Sequence, residues 1–158
     1  MKHRSVRVPI NDGADVAVAR IAGAELAIEN GFDIVHRHCV MTSISELAAN
    51  MLQHASSGTI ELQLLAGPNG DVGMEITARD EGPGIENVAL ALQYRFTIGD
   101  QHGCGLAGVH RLMSEMEITS RVGAGTVIRA VKWRSDRYLR RPLLPIAGAD
   151  ETAQKAAS

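Results

Sequence analysis

Glu46 and Asn50 stand four apart in Ile44-Ser45-Glu46-Leu47-Ala48-Ala49-Asn50. On a helix they are one turn apart, so a carboxylate and an amide could orient a nucleophile and ligate a metal ion side by side. The same pair also suits a solvated flank beside a packed face, and the helix alone does not decide between the two. Asp80-Glu81-Gly82-Pro83-Gly84 follows directly on an alternating segment. Its two glycines let the backbone come close to a planar or anionic group, although the pattern also serves as a tight turn. Gly103-Cys104-Gly105-Leu106-Ala107-Gly108 opens a helix, and the N–H groups and positive end found there suit phosphate oxygens.

Other chemistries fit less well. The glycine string matches a dinucleotide fingerprint, but that reading needs a hydrophobic strand before it, and Asp100-Gln101-His102 stands there instead. No glycine loop ends in Gly-Lys-Ser/Thr, and the motif set of eukaryotic-type kinases is missing. His36, His38 and Cys39 resemble a metal cluster only in the linear string. Residues two apart on a helix diverge by about 200°, so the two histidines cannot share an ion without breaking it.

The elements that must position these residues can be read from periodicity. Val6, Val8 and Ile10 alternate with Ser5, Arg7 and Pro9, a short strand placed at a sheet edge by Pro9, which has no N–H to donate. Asn11-Asp12-Gly13 starts a helix that stops near Asn30-Gly31. Val40, Ile44, Leu47, Ala48, Met51, Leu52 and Ala55 form one apolar stripe, the clearest helix in the chain, ended by Ser56-Ser57-Gly58. Glu46 and Asn50 fall on the edge of that stripe, with His54 one turn further on. Strands follow over Thr59 to Leu64 and Val72 to Arg79, joined by the turn Pro68-Asn69-Gly70 into a hairpin with one polar face. A short helix near Val88 to Leu92 precedes a stretch without clear period from Tyr94 to Gly103. Leu106, Val109 and Met113 mark another helix. Met116 to Val122 and Thr126 to Trp133 make a second hairpin around Gly123-Ala124-Gly125. A half-exposed sheet of this kind predicts a two-layer α/β sandwich with helices on one face.

The chain has 158 residues, enough for one domain with a real core, and 45% are hydrophobic, which excludes a wholly disordered chain. With a formal net charge of −2 it lacks the basic face that nucleic acid requires. Its apolar runs fall far short of the roughly 20 residues that span a bilayer, and the start Met1-Lys2-His3-Arg4 does not resemble a signal peptide. Two isolated cysteines, Cys39 and Cys104, make no disulfide framework. These features predict a cytoplasmic protein with no nucleic-acid or membrane partner. The boundary is expected at Trp133: residues 5–133 form the domain, and 134–158, basic and then alanine-rich, read as a disordered extension.

Taken together, in order and spacing, Glu46-x-x-x-Asn50, Asp80-x-Gly82-x-Gly84, Gly103-x-Gly105-x-x-Gly108 and Gly125-Thr126 resemble the N, G1, G2 and G3 boxes of the Bergerat-fold ATPases. That superfamily includes gyrase, heat-shock chaperones, histidine kinases and bacterial anti-sigma kinases. Within it the chain looks most like the serine/threonine switch kinases of the bacterial stressosome (RsbT-type). The strings that carry this likeness are Ile44 to Asn50, Asp80 to Ile85, Gly108-Val109-His110-Arg111-Leu112-Met113, and Gly125-Thr126 leading into Lys132-Trp133. The likeness covers Ser5 to Trp133 and implies a Bergerat α/β sandwich with a mixed, mainly antiparallel sheet.

The resemblance also implies roles. Asp80 would accept the adenine amino hydrogen bond, with Thr126 supporting the purine and Gly82 and Gly84 letting the chain pass close to the base. Asn50 would ligate Mg²⁺, and the Gly103, Gly105, Leu106 and Gly108 segment would cradle the β- and γ-phosphates of ATP. Glu46 would act as the catalytic base toward a hydroxyl. The implied partner is an antagonist (STAS-type) protein or scaffold, with a phosphatase or sigma factor as further candidates. One departure is the lid: Arg95-Phe96-Thr97-Ile98-Gly99-Asp100-Gln101-His102 stands where relatives carry a Gly/Ser/Thr-rich segment. Glu46 favours a kinase. The acid in the lid favours the alternative, a catalytically weak, nucleotide-dependent binding module.

Overall fold

The computed structural model describes residues 4–93, 97–98, 101–102 and 105–136. In chain order the elements are β1 (Ser5–Ile10), α1 (Gly13–Glu29), α2 (Ile34–His54), β2 (Gly58–Ala66), β3 (Val72–Asp80), α3 (Val88–Gln93), β4 (Thr97–Ile98), β5 (Gln101–His102), α4 (Gly105–Leu112), β6 (Glu115–Arg121) and β7 (Gly125–Trp133). Five strands form one sheet in the order β1-β2-β3-β7-β6, with β1 at the edge where Pro9 predicts it. The sheet was expected to be mixed and mainly antiparallel; all four described pairings in it are antiparallel. The segment that shows no period in the sequence holds a separate two-residue pairing, β4 with β5.

The helix-facing side of the sheet carries Val8, Ile10, Ile60, Leu62, Met74, Ile76, Ala78, Ile128 and Ala130, which form the core with the stripe of α2. Val40, Ile44, Leu47, Ala48 and Met51 are at most 2% exposed. At roughly 1.5–3 kcal/mol for each large apolar side chain buried, that stripe makes α2 a rigid support. The helix begins at Ile34, before the stripe does, because Asp33 caps it by accepting the N–H groups of Val35 and His36. Gly23 allows α1 to lie close on α2, since a Cβ there would overlap the Ile44 side chain.

The polar face of the β2–β3 hairpin is less open than alternation suggests. Glu75 points away from the helices yet is 5% exposed. Central β3 places it between Gln63 of β2 and Arg129 of β7, and both side chains bond its carboxylate. The body's hydrogen bonds also continue past Trp133. The Arg134 guanidinium donates to the Asn30 carbonyl at 2.9 Å, and Ser135 bonds the Asp71 carboxylate. The Asp136 carboxylate accepts from the Ser114 hydroxyl at 2.7 Å and lies 3.6 Å from the ammonium of buried Lys132. The remaining tail, 137–158, lies outside the described residues.

Candidate functional site

Two clusters of the singled-out residues lie along the C-terminal half of α2. The first joins α2 to α4. Glu46 is half-buried, and its Oε2 accepts the Gly105 N–H at 3.0 Å across 59 positions of sequence. The carboxylate therefore sits at the N-terminus of α4, where unpaired N–H groups and the helix dipole favour an anion. Gly105 has φ of +54°, a backbone that favours glycine. Leu106 and Gly108 are buried in the first turn of α4. Asn50, also half-buried, follows Glu46 by one turn. Gly103, and residues 95, 96, 99 and 100 of the expected lid, lie outside the described residues.

The second cluster lies at the end of α2. Asp80 closes β3 directly opposite Thr126 of β7, and Thr126 is opposite Ser120 of β6. The three share a row across adjacent strands, next to the inward row Ala78, Ile128 and Ile118. Asp80 Oδ1 accepts the Gly82 N–H at 2.9 Å, closing a turn on itself. A Cβ on Gly82 would stand 2.5 Å from the Ala55 Cβ, and one on Gly84, at φ +78°, would overlap the Arg121 carbonyl. What these glycines clear is neighbouring protein, the Ala55 methyl for Gly82 and backbone for Gly84: they let the turn fold down between the end of α2 and the β6–β7 connection. Gly125, at φ +87°, brings β7 so close to β3 that a Cβ would overlap the Asp80 carbonyl. From Glu46 to Ala55, the residue that Gly82 packs against, the helix axis runs roughly 14 Å at about 1.5 Å per residue.

Sequence reasoning did not find Ser120. Its hydroxyl accepts the Ile85 N–H at 2.7 Å, lies 2.8 Å from Thr126 Oγ1 and reaches the Gly125 carbonyl at 3.2 Å. The signal was present, because pairing outward from the Gly123-Ala124-Gly125 turn puts Ser120 near Thr126. His36, unsuited to a metal on spacing grounds, is buried, with Nδ1 2.9 Å from Asp33 Oδ1 and Nε2 2.8 Å from the Asp136 carbonyl. It ties the start of α2 to Asp136, just beyond β7.

No group of three or more His, Cys, Asp or Glu side chains able to hold a metal ion occurs among the described residues. A magnesium ion carried on phosphates needs only one or two protein oxygens. The Asn50 amide oxygen, a hard neutral donor one helical turn from Glu46 and half-buried, fits that requirement. No helix among the described residues is long and apolar enough to cross a membrane.

A row of Asp, Thr and Ser at one end of an open antiparallel sheet, with a carboxylate-capped glycine helix beside the same half of α2, defines a class. Residues 11–132 match the histidine kinase-like ATPase domain, and the chain belongs to that family. Over 119 residues it is 40% identical to the serine/threonine-protein kinase RsbT of Bacillus subtilis, covering 75% of this chain and 89% of that one. It is 32% identical over 97 residues to an anti-sigma F factor of Caldanaerobacter subterraneus subsp. tengcongensis, covering 60% and 68%. Among solved structures, the RsbU and RsbW domains of Rv1364c from Mycobacterium tuberculosis superpose with a TM-score of 0.55 at 19% identity. That match covers 86% of this chain and 34% of the longer one, and it supports the α/β sandwich as the fold.

Proposed function

We propose that this protein is a serine/threonine-protein kinase and partner switch that uses Mg·ATP to phosphorylate a STAS-type antagonist protein in the bacterial cytoplasm. The observation that carries this reading is the Glu46 carboxylate held at the N-terminus of α4. A general base and an anion-binding helix end then face one space, as phosphoryl transfer needs. The relative RsbT, named as a serine/threonine-protein kinase, supports the same reading.

Each residue has a task. Asp80, an acceptor at the end of β3, reads the adenine amino group, and Thr126 beside it supports the purine. The α2 interval between Ala55 and Glu46 spans an extended nucleoside triphosphate. The Gly103, Gly105, Leu106 and Gly108 segment receives the β- and γ-phosphates on backbone N–H groups. Asn50 would hold the magnesium ion, which neutralises phosphate charge when bound. Glu46 orients a partner's serine or threonine hydroxyl and takes its proton.

The decisive assay follows labelled γ-phosphate from ATP to a STAS-type protein encoded beside this one. Transfer to one serine or threonine supports the kinase. Asp100 in the lid and the likeness to anti-sigma F factors favour a second reading, a nucleotide-dependent binding module that holds a sigma factor or activates a phosphatase. Nucleotide-dependent binding with no transfer would establish that module and overturn the kinase.

A further inference from the structure

Ser120 occupies the third place in the row Asp80, Thr126, Ser120, and its hydroxyl makes three short contacts. Ile85 N–H approaches at 2.7 Å, Thr126 Oγ1 lies at 2.8 Å and the Gly125 carbonyl oxygen at 3.2 Å. A serine hydroxyl has one hydrogen and two lone pairs. The Ile85 N–H takes one lone pair. The Gly125 carbonyl has no hydrogen to offer, so a hydrogen on that contact must come from Ser120. The contact with Thr126 is then filled by the Thr126 hydrogen, which takes the second lone pair. This is the one assignment that puts a hydrogen in all three contacts.

We propose that Ser120 is a positioning residue for nucleotide selectivity: it consumes the Thr126 hydrogen and leaves Thr126 to act on the purine only as an acceptor. The inference rests on the reading of Asp80 and Thr126 as the purine end of the site. Asp80 is an acceptor as well, with Oδ1 already engaged by the Gly82 N–H. Two adjacent acceptors favour a 6-amino purine, which donates, and oppose a 6-oxo purine, which presents a carbonyl oxygen. Without Ser120 the Thr126 hydroxyl is free to turn its hydrogen outward. It could then donate to a 6-oxo group, so discrimination falls while Asp80 is untouched. Ser120 also pins the residue after Gly84 to β6, which places the turn from Asp80 to Ile85 and the acceptor pair under one hydroxyl.

The test measures binding of ATP and inosine triphosphate, which differ at the 6-position and in the N1 hydrogen that goes with a 6-oxo group, to wild type, Ser120→Ala, Ser120→Thr and Thr126→Val, with melting curves alongside. Ser120→Ala should lower the ATP-to-ITP affinity ratio by roughly 3–10-fold, the scale of one neutral hydrogen bond. Ser120→Thr, which keeps the hydroxyl, should restore the wild-type ratio. Adding Ser120→Ala to Thr126→Val should change the ratio no further, because Ser120 acts through Thr126. If Ser120→Ala does not fold, Ser120→Cys, with a weak donor and acceptor of similar size, should shift the ratio in the same direction. Equal weakening of both nucleotides, or an unchanged ratio in a folded variant, overturns the proposal and leaves the site reading standing. A wild-type chain that binds neither nucleotide overturns the site reading itself.

Discussion

The Glu46 carboxylate accepts the Gly105 N–H at 3.0 Å, so a side chain in the middle of α2 caps the first residue of α4. An anion at that helix end is stabilised by the dipole and by N–H groups that have no partner inside the helix. Glu46→Gln keeps an oxygen that can accept the same N–H but removes proton acceptance. Mg·ATP affinity should stay within a few-fold, while phosphate transfer should fall by about 10²–10⁴, the usual contribution of a base. Asn50→Ala should instead lose magnesium-dependent binding and transfer together. Binding titrations run beside γ-phosphate transfer separate the two, and normal transfer by Glu46→Gln would assign the base elsewhere.

Asp80→Asn tests the purine reader. Asparagine retains an Oδ1 for the Gly82 N–H, so the turn after β3 should survive. The second carboxylate oxygen becomes a donor, so ATP binding should weaken sharply and discrimination against GTP should shrink. Titration with a fluorescent ATP analogue, competed by GTP, reads both. Unchanged affinity would remove Asp80 from the site.

Gly125→Ala should destabilise the fold by about 2–4 kcal/mol. A non-glycine residue at φ +87° is strained, and the added methyl meets the Asp80 carbonyl, which belongs to the backbone and cannot swing away. Chemical denaturation measures this, and a loss below 1 kcal/mol (about a fivefold change in the folding equilibrium) would show that the two strands can part cheaply.

Two truncations locate the end of the folded body. A chain ended after Arg141 should melt and bind ATP like the full chain. One ended after Trp133 should lose about 3 kcal/mol or more, because it removes Asp136 from buried Lys132, Ser114 and His36. Melting curves of both decide it, and a large loss already at Arg141 would mean that the tail contributes to the body.

His110 carries a pH dependence. Burial, and secondarily the nearby Arg111 charge, holds its imidazole below the ordinary histidine range. Its Nδ1 is buried with no hydrogen-bond partner among the described residues. A depressed native pKa means that the unfolded chain takes up the proton first as pH falls. The stability linked to His110 is therefore present above the ordinary histidine value near pH 6.5 and is lost as pH drops below it. Wild type should lose more stability between pH 7 and 5.5 than His110→Gln, as measured by denaturant midpoints at both values. Equal losses would exclude His110 as a source.

The sequence by itself determined most of the elements, though not the β4–β5 pairing, and the order of the motifs. The apolar stripe of Val40, Ile44, Leu47, Ala48 and Met51 makes α2 a helix and puts Glu46 and Asn50 on its flank, because side-chain direction repeats every 3.6 residues. Pro9 places β1 at an edge, since it has no ladder N–H, and Pro68-Asn69-Gly70 turns β2 into β3. These are local facts, settled within a turn or a strand pair. Only the tertiary structure decided that Glu46 meets Gly105, that Asp80 lies opposite Thr126 with Ser120 beyond, that outward Glu75 is buried against Arg129, and that Arg134 to Asp136 bond into the body. Those partners lie far apart along the chain. No local propensity links them, and they meet because burying one side of the sheet under α2 and α4 fixes register and packing for the whole domain.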